Sequence, residues 1–100
     1  MKKVLFLCTG NSARSIISEC LLNQMGKNRY QAFSAGSKPV GKVNPYSIKV
    51  LEKNNINHES VSSKSWDNFS DTMFDTVVTV CNNAANETCP VYPGSPNKLH

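Results

Sequence analysis

The sequence predicts an α/β fold in which a doubly wound parallel sheet is covered by helices. Apolar runs of strand length alternate along the chain with segments of helical periodicity, which is the pattern of βαβ units. Two of the strand-like runs are followed directly by a cysteine, and ligands of such sheets bind at the carboxyl ends of the strands. We therefore expect a single domain over residues 1–100 with its functional site at that edge.

The first half of the chain contains two strands and one helix. The apolar run 3–7 is typical of a buried parallel strand. A helix is predicted over 14–25, because its apolar residues recur at helical spacing on one side: Ile16, Ile17, Cys20, Leu21 and Met25. Gly26 favours the end of that helix, and a short second strand is predicted over 31–34.

The second half contains one helix and one strand. Asn44 is a helix cap and Pro45 suits the first helical position, so a second helix is predicted from there to Asn54, with Ile48, Val50 and Leu51 on its apolar face. A polar loop with a helical turn at 66–69 follows, and then a third strand over 76–80. No signal for a closing helix follows that strand.

The segment from Cys8 to Ser15, Cys-Thr-Gly-Asn-Ser-Ala-Arg-Ser, is the most informative motif. Backbone N–H groups in a tight loop at a helix N-terminus, together with the helix dipole, favour bound anions and also favour the thiolate of Cys8. Arg14 adds a guanidinium suited to the oxygens of phosphate or arsenate. Ser15 is placed to donate a hydrogen bond to the thiolate. The Cys-x5-Arg spacing therefore predicts an oxyanion loop with a nucleophilic sulfur.

Composition excludes several other functions. The net charge is +4, without a basic stripe interleaved with aromatics, so we expect no nucleic-acid partner. No apolar run approaches the roughly 18 residues of a membrane span, and no cleavable signal peptide is evident, so we expect no membrane partner. Four cysteines without an export signal indicate a cytoplasmic protein, in which thiols are more often catalytic or metal-binding than structural.

The motif resembles the phosphate loop of low-molecular-weight protein tyrosine phosphatases and of their relatives, the thioredoxin-coupled arsenate reductases. The similarity extends through 33–36, 43–45, 75–85 and 89–90. It implies a flavodoxin-like strand order and a domain that, at residue 100, lacks its C-terminal strand and helix. It also implies that an arsenate or phosphate oxyanion is held by the loop residues Thr9, Gly10, Asn11, Ser12, Ala13, Arg14 and Ser15.

The resemblance to the reductases implies a relay of three thiols. Cys8 attacks arsenate, Cys81 attacks Cys8 as arsenite leaves, and Cys89 then forms a Cys81–Cys89 disulfide that thioredoxin reduces. No cofactor is implied beyond that external thiol reductant. In a straight helix, the Cα atoms of Cys81 and Cys89 would be about 12 Å apart, which is too far for a disulfide. We therefore expect the asparagine-rich segment between them to bend and to be mobile. We expect no metal: Asn11, Glu19 and Ser34 match part of the family's monovalent-cation site, but its remaining acidic ligand is not evident.

Two alternatives stay open from the residues. A phosphatase would use Cys8 for a phosphocysteine intermediate and would need an acid, for which Asp67, Asp71 and Asp75 are candidates. A protein without catalytic activity could instead bind zinc through Cys81, Cys89, His100 and one more ligand, although zinc ligands are usually spaced more tightly. It could also be a sensor that holds trivalent arsenic with its thiols.

Overall fold

The computed structural model describes residues 1–11, 13–59, 61–80 and 97–99. These residues form a parallel sheet with two α-helices and one short 3₁₀ turn. In chain order the elements are β1 (Lys2–Cys8), α1 (Arg14–Met25), β2 (Tyr30–Gly36), α2 (Pro45–Lys53), the 3₁₀ turn (Trp66–Phe69), β3 (Thr76–Thr79) and β4 (Asn97–Leu99).

The sheet has four parallel strands in the order β2-β1-β3-β4. This order confirms the predicted doubly wound, flavodoxin-like α/β fold. The sequence prediction ended the sheet at the third strand and expected the C-terminal strand to be lacking. The structure corrects this point, because β4 adds a fourth strand beside β3. The three residues of β4 contain no apolar run, and only their pairing with β3 defines them, including the bond from Asn97 N to Asp75 O at 3.0 Å.

The core lies in two clusters. The first is built on the sheet from Leu5, Leu7, Ala35, Phe74 and Val77. Phe33 and Phe69 pack against it, and these two rings and Phe74 meet edge to face with centroids 5.5–5.8 Å apart. The second cluster joins the two α-helices through Ile16, Cys20 and Leu51. Cys20 is therefore a core residue.

The buried face of α1 differs from the predicted one. Ile16 and Cys20 are buried as expected, but Leu21 is 37% and Met25 76% exposed. Glu19 is buried instead, since its carboxylate accepts a hydrogen bond from the Ser34 hydroxyl on β2. A periodicity that counts only apolar residues cannot detect such a polar contact. In α2, Leu51 is likewise buried while Val50 is 43% exposed.

Polar side chains bond to the backbone of the sheet at its outer strand β2 and at the amino end of β1. The Asn23 carboxamide bonds both the N–H and the C=O of Ala32 on the outer strand β2, where a further strand would otherwise pair. Asp75 accepts from Lys3 N at 2.7 Å and donates its own N–H to Lys3 O at 2.8 Å. Asp75 therefore aligns the amino end of β3 with β1, at the edge of the sheet opposite to Cys8. None of the helices among the described residues has the length and apolarity needed to cross a membrane.

Candidate active site

The loop between β1 and α1 has the thiol of Cys8 at one end and the guanidinium of Arg14 at the other. Cys8 is the last residue of β1 and pairs with Gly36 of β2, and Arg14 is the first residue of α1. The strand–loop–helix arrangement predicted for the motif is therefore confirmed. Ser12 lies outside the described residues.

The carbonyl groups of the loop are held from outside. Thr9 O accepts from Lys38 N at 2.9 Å, and Gly10 O accepts from Val40 N at 3.0 Å and from Ser63 Oγ at 3.1 Å. In a planar trans peptide the N–H points opposite to the C=O, so the N–H groups of Gly10 and Asn11 point away from these partners. This is the orientation by which a loop presents N–H donors to an anion.

Asn11 connects the loop to its surroundings. It is fully buried and has the left-handed φ of 47°, which asparagine tolerates better than most residues. Its Nδ2 donates to Ser15 Oγ at 2.8 Å, and its Oδ1 accepts from Lys64 N at 2.8 Å. The side chain thus joins the loop both to the first turn of α1 and to the segment 63–65, which we call the strap.

Gly36 allows the loop to pack directly on β2. A Cβ at this position would lie 2.4 Å from Thr9 O, 2.8 Å from Cys8 O and 3.0 Å from Asn11 N, all of them backbone atoms. The Gly36 N–H donates to Lys64 O at 2.9 Å, and Gly36 also forms a bridge with Ser65 of the strap. The loop, β2 and the strap are therefore one packed unit.

Arg14 reaches the carboxyl end of β3. Its Nη1 donates to Val80 O at 3.5 Å, while Val80 N donates to Leu7 O at 2.9 Å. The ends of β1 and β3 are thus neighbours, with the guanidinium beside them. Cys81 follows Val80 in the sequence, but Cys81, Cys89 and the segment between them, which was expected to be mobile, lie outside the described residues.

Cys20 differs from Cys8 in its environment. Burial, with a smaller contribution from the Glu19 carboxylate, raises the pKa of the Cys20 thiol to about 11. The thiol therefore stays protonated near neutral pH and is a poor nucleophile. Cys8 is only partly buried and lies at the loop.

A buried charged pair of Glu19 and Lys64 lies behind the loop. The resemblance had grouped Glu19 with Asn11 and Ser34, but nothing in the sequence indicated Lys64. Glu19 Oε1 accepts from Ser34 Oγ at 2.5 Å and lies 3.9 Å from Lys64 Nζ. Burial raises the pKa of Glu19, against the opposing effects of Ser34 and Lys64, and burial lowers the pKa of Lys64. Lys64 falls in a polar loop without periodicity, so no local pattern could have marked it. Among the described residues no group of three His, Cys, Asp or Glu side chains could hold a metal ion.

Substitutions of Asn11 separate its backbone role from its side-chain role. Asn11→Gly keeps the φ of 47° accessible but removes two side-chain hydrogen bonds, so we expect a loss of about 2 kcal/mol in the free energy of unfolding. Asn11→Ala should lose about 1 kcal/mol more, because alanine disfavours the left-handed region. Urea unfolding measures both values.

Asn55 provides the matched control, since it has a similar φ of 56° but is exposed at the end of α2. We expect Asn55→Ala to be less stable than Asn55→Gly, and Asn55→Gly to be close to the wild type. If Asn11→Gly were also as stable as the wild type, the two side-chain bonds of Asn11 would not hold the loop.

Comparison with protein families gives a match over nearly the whole chain. The model described as "Low molecular weight phosphotyrosine protein phosphatase" matches residues 3–99. An arsenate reductase of Bacillus cereus (strain G9842) is 36% identical over 99 residues, which are 99% of this chain and 72% of that protein.

Solved structures show the same architecture. The thioredoxin-dependent arsenate reductase Cg_ArsC1' of Corynebacterium glutamicum superposes with a TM-score of 0.83 at 27% identity, over 100% of this chain and 49% of that one. The chain thus spans about half the length of that structure. A low molecular weight protein tyrosine phosphatase from T. tengcongensis has a TM-score of 0.78 at 24% identity, over 100% of this chain and 72% of that one, and shows the fold alone.

Proposed function

Since the chain belongs to the low molecular weight phosphotyrosine protein phosphatase family, we propose that it reduces arsenate to arsenite. The proposal rests on one observation above all: Val80, the residue that precedes Cys81, lies at the end of the strand beside Cys8 and is bonded by Arg14. The 36% identity to an arsenate reductase supports the same activity.

In the first step, arsenate binds with its oxygens toward the guanidinium of Arg14 and the N–H groups of the loop from Thr9 to Ser15. The Cys8 thiolate attacks the arsenic atom, an S–As bond forms, and one As–OH group leaves as water after it takes a proton from the solvent. Arg14 and the loop N–H groups stabilise the negative charge on the remaining oxygens. The hydroxyl of Ser15, held by Asn11, supports the thiolate before attack.

In the second step, the Cys81 thiolate attacks the sulfur of Cys8. The S–As bond breaks, its electron pair goes to arsenic, and arsenite leaves while a Cys8–Cys81 disulfide forms. The two thiols together supply the two electrons that convert arsenic(V) to arsenic(III). Cys89 then attacks Cys81, which restores Cys8 and leaves a Cys81–Cys89 disulfide.

The final disulfide requires an external dithiol, and we propose thioredoxin as the partner. The thioredoxin-dependent reductase of C. glutamicum supports this choice. A relay that returns to reduced thiols after each cycle fits a cytoplasmic location, and it needs no metal or organic cofactor.

A phosphatase that forms a phosphocysteine on Cys8 is the second candidate, because the loop chemistry is the same. Its leaving group needs a general acid. Among the described candidates, Asp75 is bonded to Lys3 at the opposite edge of the sheet, and Asp67 and Asp71 are exposed. The position of Asp75 removes one of these three candidates.

One assay distinguishes the two activities. Arsenate-dependent oxidation of NADPH is followed with thioredoxin and thioredoxin reductase, beside hydrolysis of nitrophenyl phosphate, for the wild type and for Cys89→Ser. We expect the wild type to turn over arsenate continuously and Cys89→Ser to stop after the first cycle. Ester hydrolysis that survives in Cys89→Ser, with no arsenate turnover in the wild type, would establish the phosphatase instead.

A further inference from the structure

We propose that Lys64 is a positioning residue for the oxyanion loop: its main chain holds Asn11 and Gly36, and its ammonium, next to the buried carboxylate of Glu19, holds the strap against α1. The inference rests on the anion-binding loop of the proposed function. It assigns a role to a charged pair that takes no part in the thiol relay.

The strap bonds to the loop at two points and to β2 at a third. Ser63 Oγ donates to Gly10 O, Lys64 N donates to Asn11 Oδ1, and Lys64 O accepts from the N–H of Gly36. Asn11 in turn holds Ser15 at the start of α1. A displacement of the strap would therefore release the groups that turn the loop N–H donors toward the anion.

The side chain of Lys64 adds a charged contact from the strap to α1. Its Nζ donates to Ser62 O at 2.7 Å and lies 3.9 Å from Glu19 Oε1, where the two side chains are 19% and 9% exposed. Glu19 is fixed on its other side by Ser34 of β2. The pair thus connects the strap with α1, which follows the loop, and with β2, on which the loop packs.

The surroundings of the pair allow both the Glu19 carboxylate and the Lys64 ammonium to be charged. Two open cavities of about 380 and 460 Å³ both border Glu19, so water has access to the edge of the pair. The thiol of Cys20 also faces the pair, and it is neutral near pH 7 because burial raises its pKa to about 11. Removal of the ammonium alone would leave the Glu19 carboxylate buried without a compensating charge.

The test measures binding of inorganic phosphate through its protection of Cys8 against alkylation by iodoacetamide, followed by peptide mass spectrometry. We expect Lys64→Met to weaken phosphate binding at least about tenfold, because small displacements of a positioned site cost this much or more. Lys64→Arg, which keeps a cation, should retain most of the affinity. Lys49→Met is the matched control, since it removes one exposed lysine from α2 and should bind phosphate like the wild type.

The double variant Glu19→Gln/Lys64→Met removes the uncompensated carboxylate and keeps the experiment informative if Lys64→Met does not fold. We expect the double variant to fold and still to bind phosphate weakly. Its weak binding could then not be explained by a loss of stability. Wild-type affinity in Lys64→Met or in the double variant, or equal weakening by Lys64→Arg, would overturn the role of Lys64 alone. If phosphate failed to protect Cys8 in the wild type, the anion loop and this inference would both be rejected.

Discussion

Replacement of Cys8 by serine is expected to abolish arsenate reduction, with a loss of at least about 10³-fold in turnover. A serine hydroxyl is not ionised near neutral pH, and its oxygen cannot enter the disulfide that carries away two electrons. Serine also keeps the size and hydrogen-bonding capacity of the side chain, so the loop should keep its shape. The coupled NADPH assay with arsenate measures the effect.

Cys20→Ser is the matched control for that substitution. Cys20 is buried between the two α-helices in contact with Ile16 and Leu51, so the change should lower stability but leave arsenate turnover intact. Comparison of the two variants separates the loss of the loop thiol from the loss of any thiol. Arsenate reduction that persists in Cys8→Ser, or that disappears equally in Cys20→Ser, would contradict the assignment of Cys8 as nucleophile.

Gly36→Ala should have the second largest effect. The added Cβ would lie 2.4 Å from Thr9 O and 2.8 Å from Cys8 O, and backbone atoms cannot give way as a flexible side chain would. Either β2 or the loop must move, so we expect phosphate binding to fall by about 10²-fold and the free energy of unfolding by about 1–3 kcal/mol. Phosphate protection of Cys8 and urea unfolding measure the two effects.

Gly41→Ala is the control for this second prediction. A Cβ at Gly41 would meet nothing within 4 Å, although the φ of 80° makes alanine unfavourable there. We expect a modest loss of stability with phosphate binding unchanged. If Gly36→Ala also bound phosphate normally, close packing of the loop on β2 would not be needed for anion binding.

The elements with a local signal were predicted well from the sequence. The apolar run of β1, the periodicity of α1 and the Asn44-Pro45 start of α2 all depend on residues close together in the chain, and the structure contains each of them. The strand–loop–helix arrangement from β1 to α1 belongs to the same class, because its three parts are contiguous in the chain. Local patterns are enough where the structure itself is local.

The features that the sequence did not predict depend on distant partners. β4 is defined by its pairing with β3, and the burial of Glu19 depends on Ser34, fifteen positions further along the chain. The bond from Lys64 to Asn11 joins residues 53 positions apart. No periodicity or composition encodes such contacts. The contacts of Glu19 and Lys64 that support the loop could therefore be identified only from the folded structure.

A single turnover without reductant tests the central claim most directly. Fully reduced protein is mixed with arsenate, released arsenite is counted, and the disulfides are mapped by peptide mass spectrometry. The account predicts one arsenite per chain with a Cys81–Cys89 disulfide in the wild type, and one arsenite with a trapped Cys8–Cys81 disulfide in Cys89→Ser. Absence of arsenite from the reduced wild type, or arsenite formed while Cys8 and Cys81 remain thiols in Cys89→Ser, would contradict it.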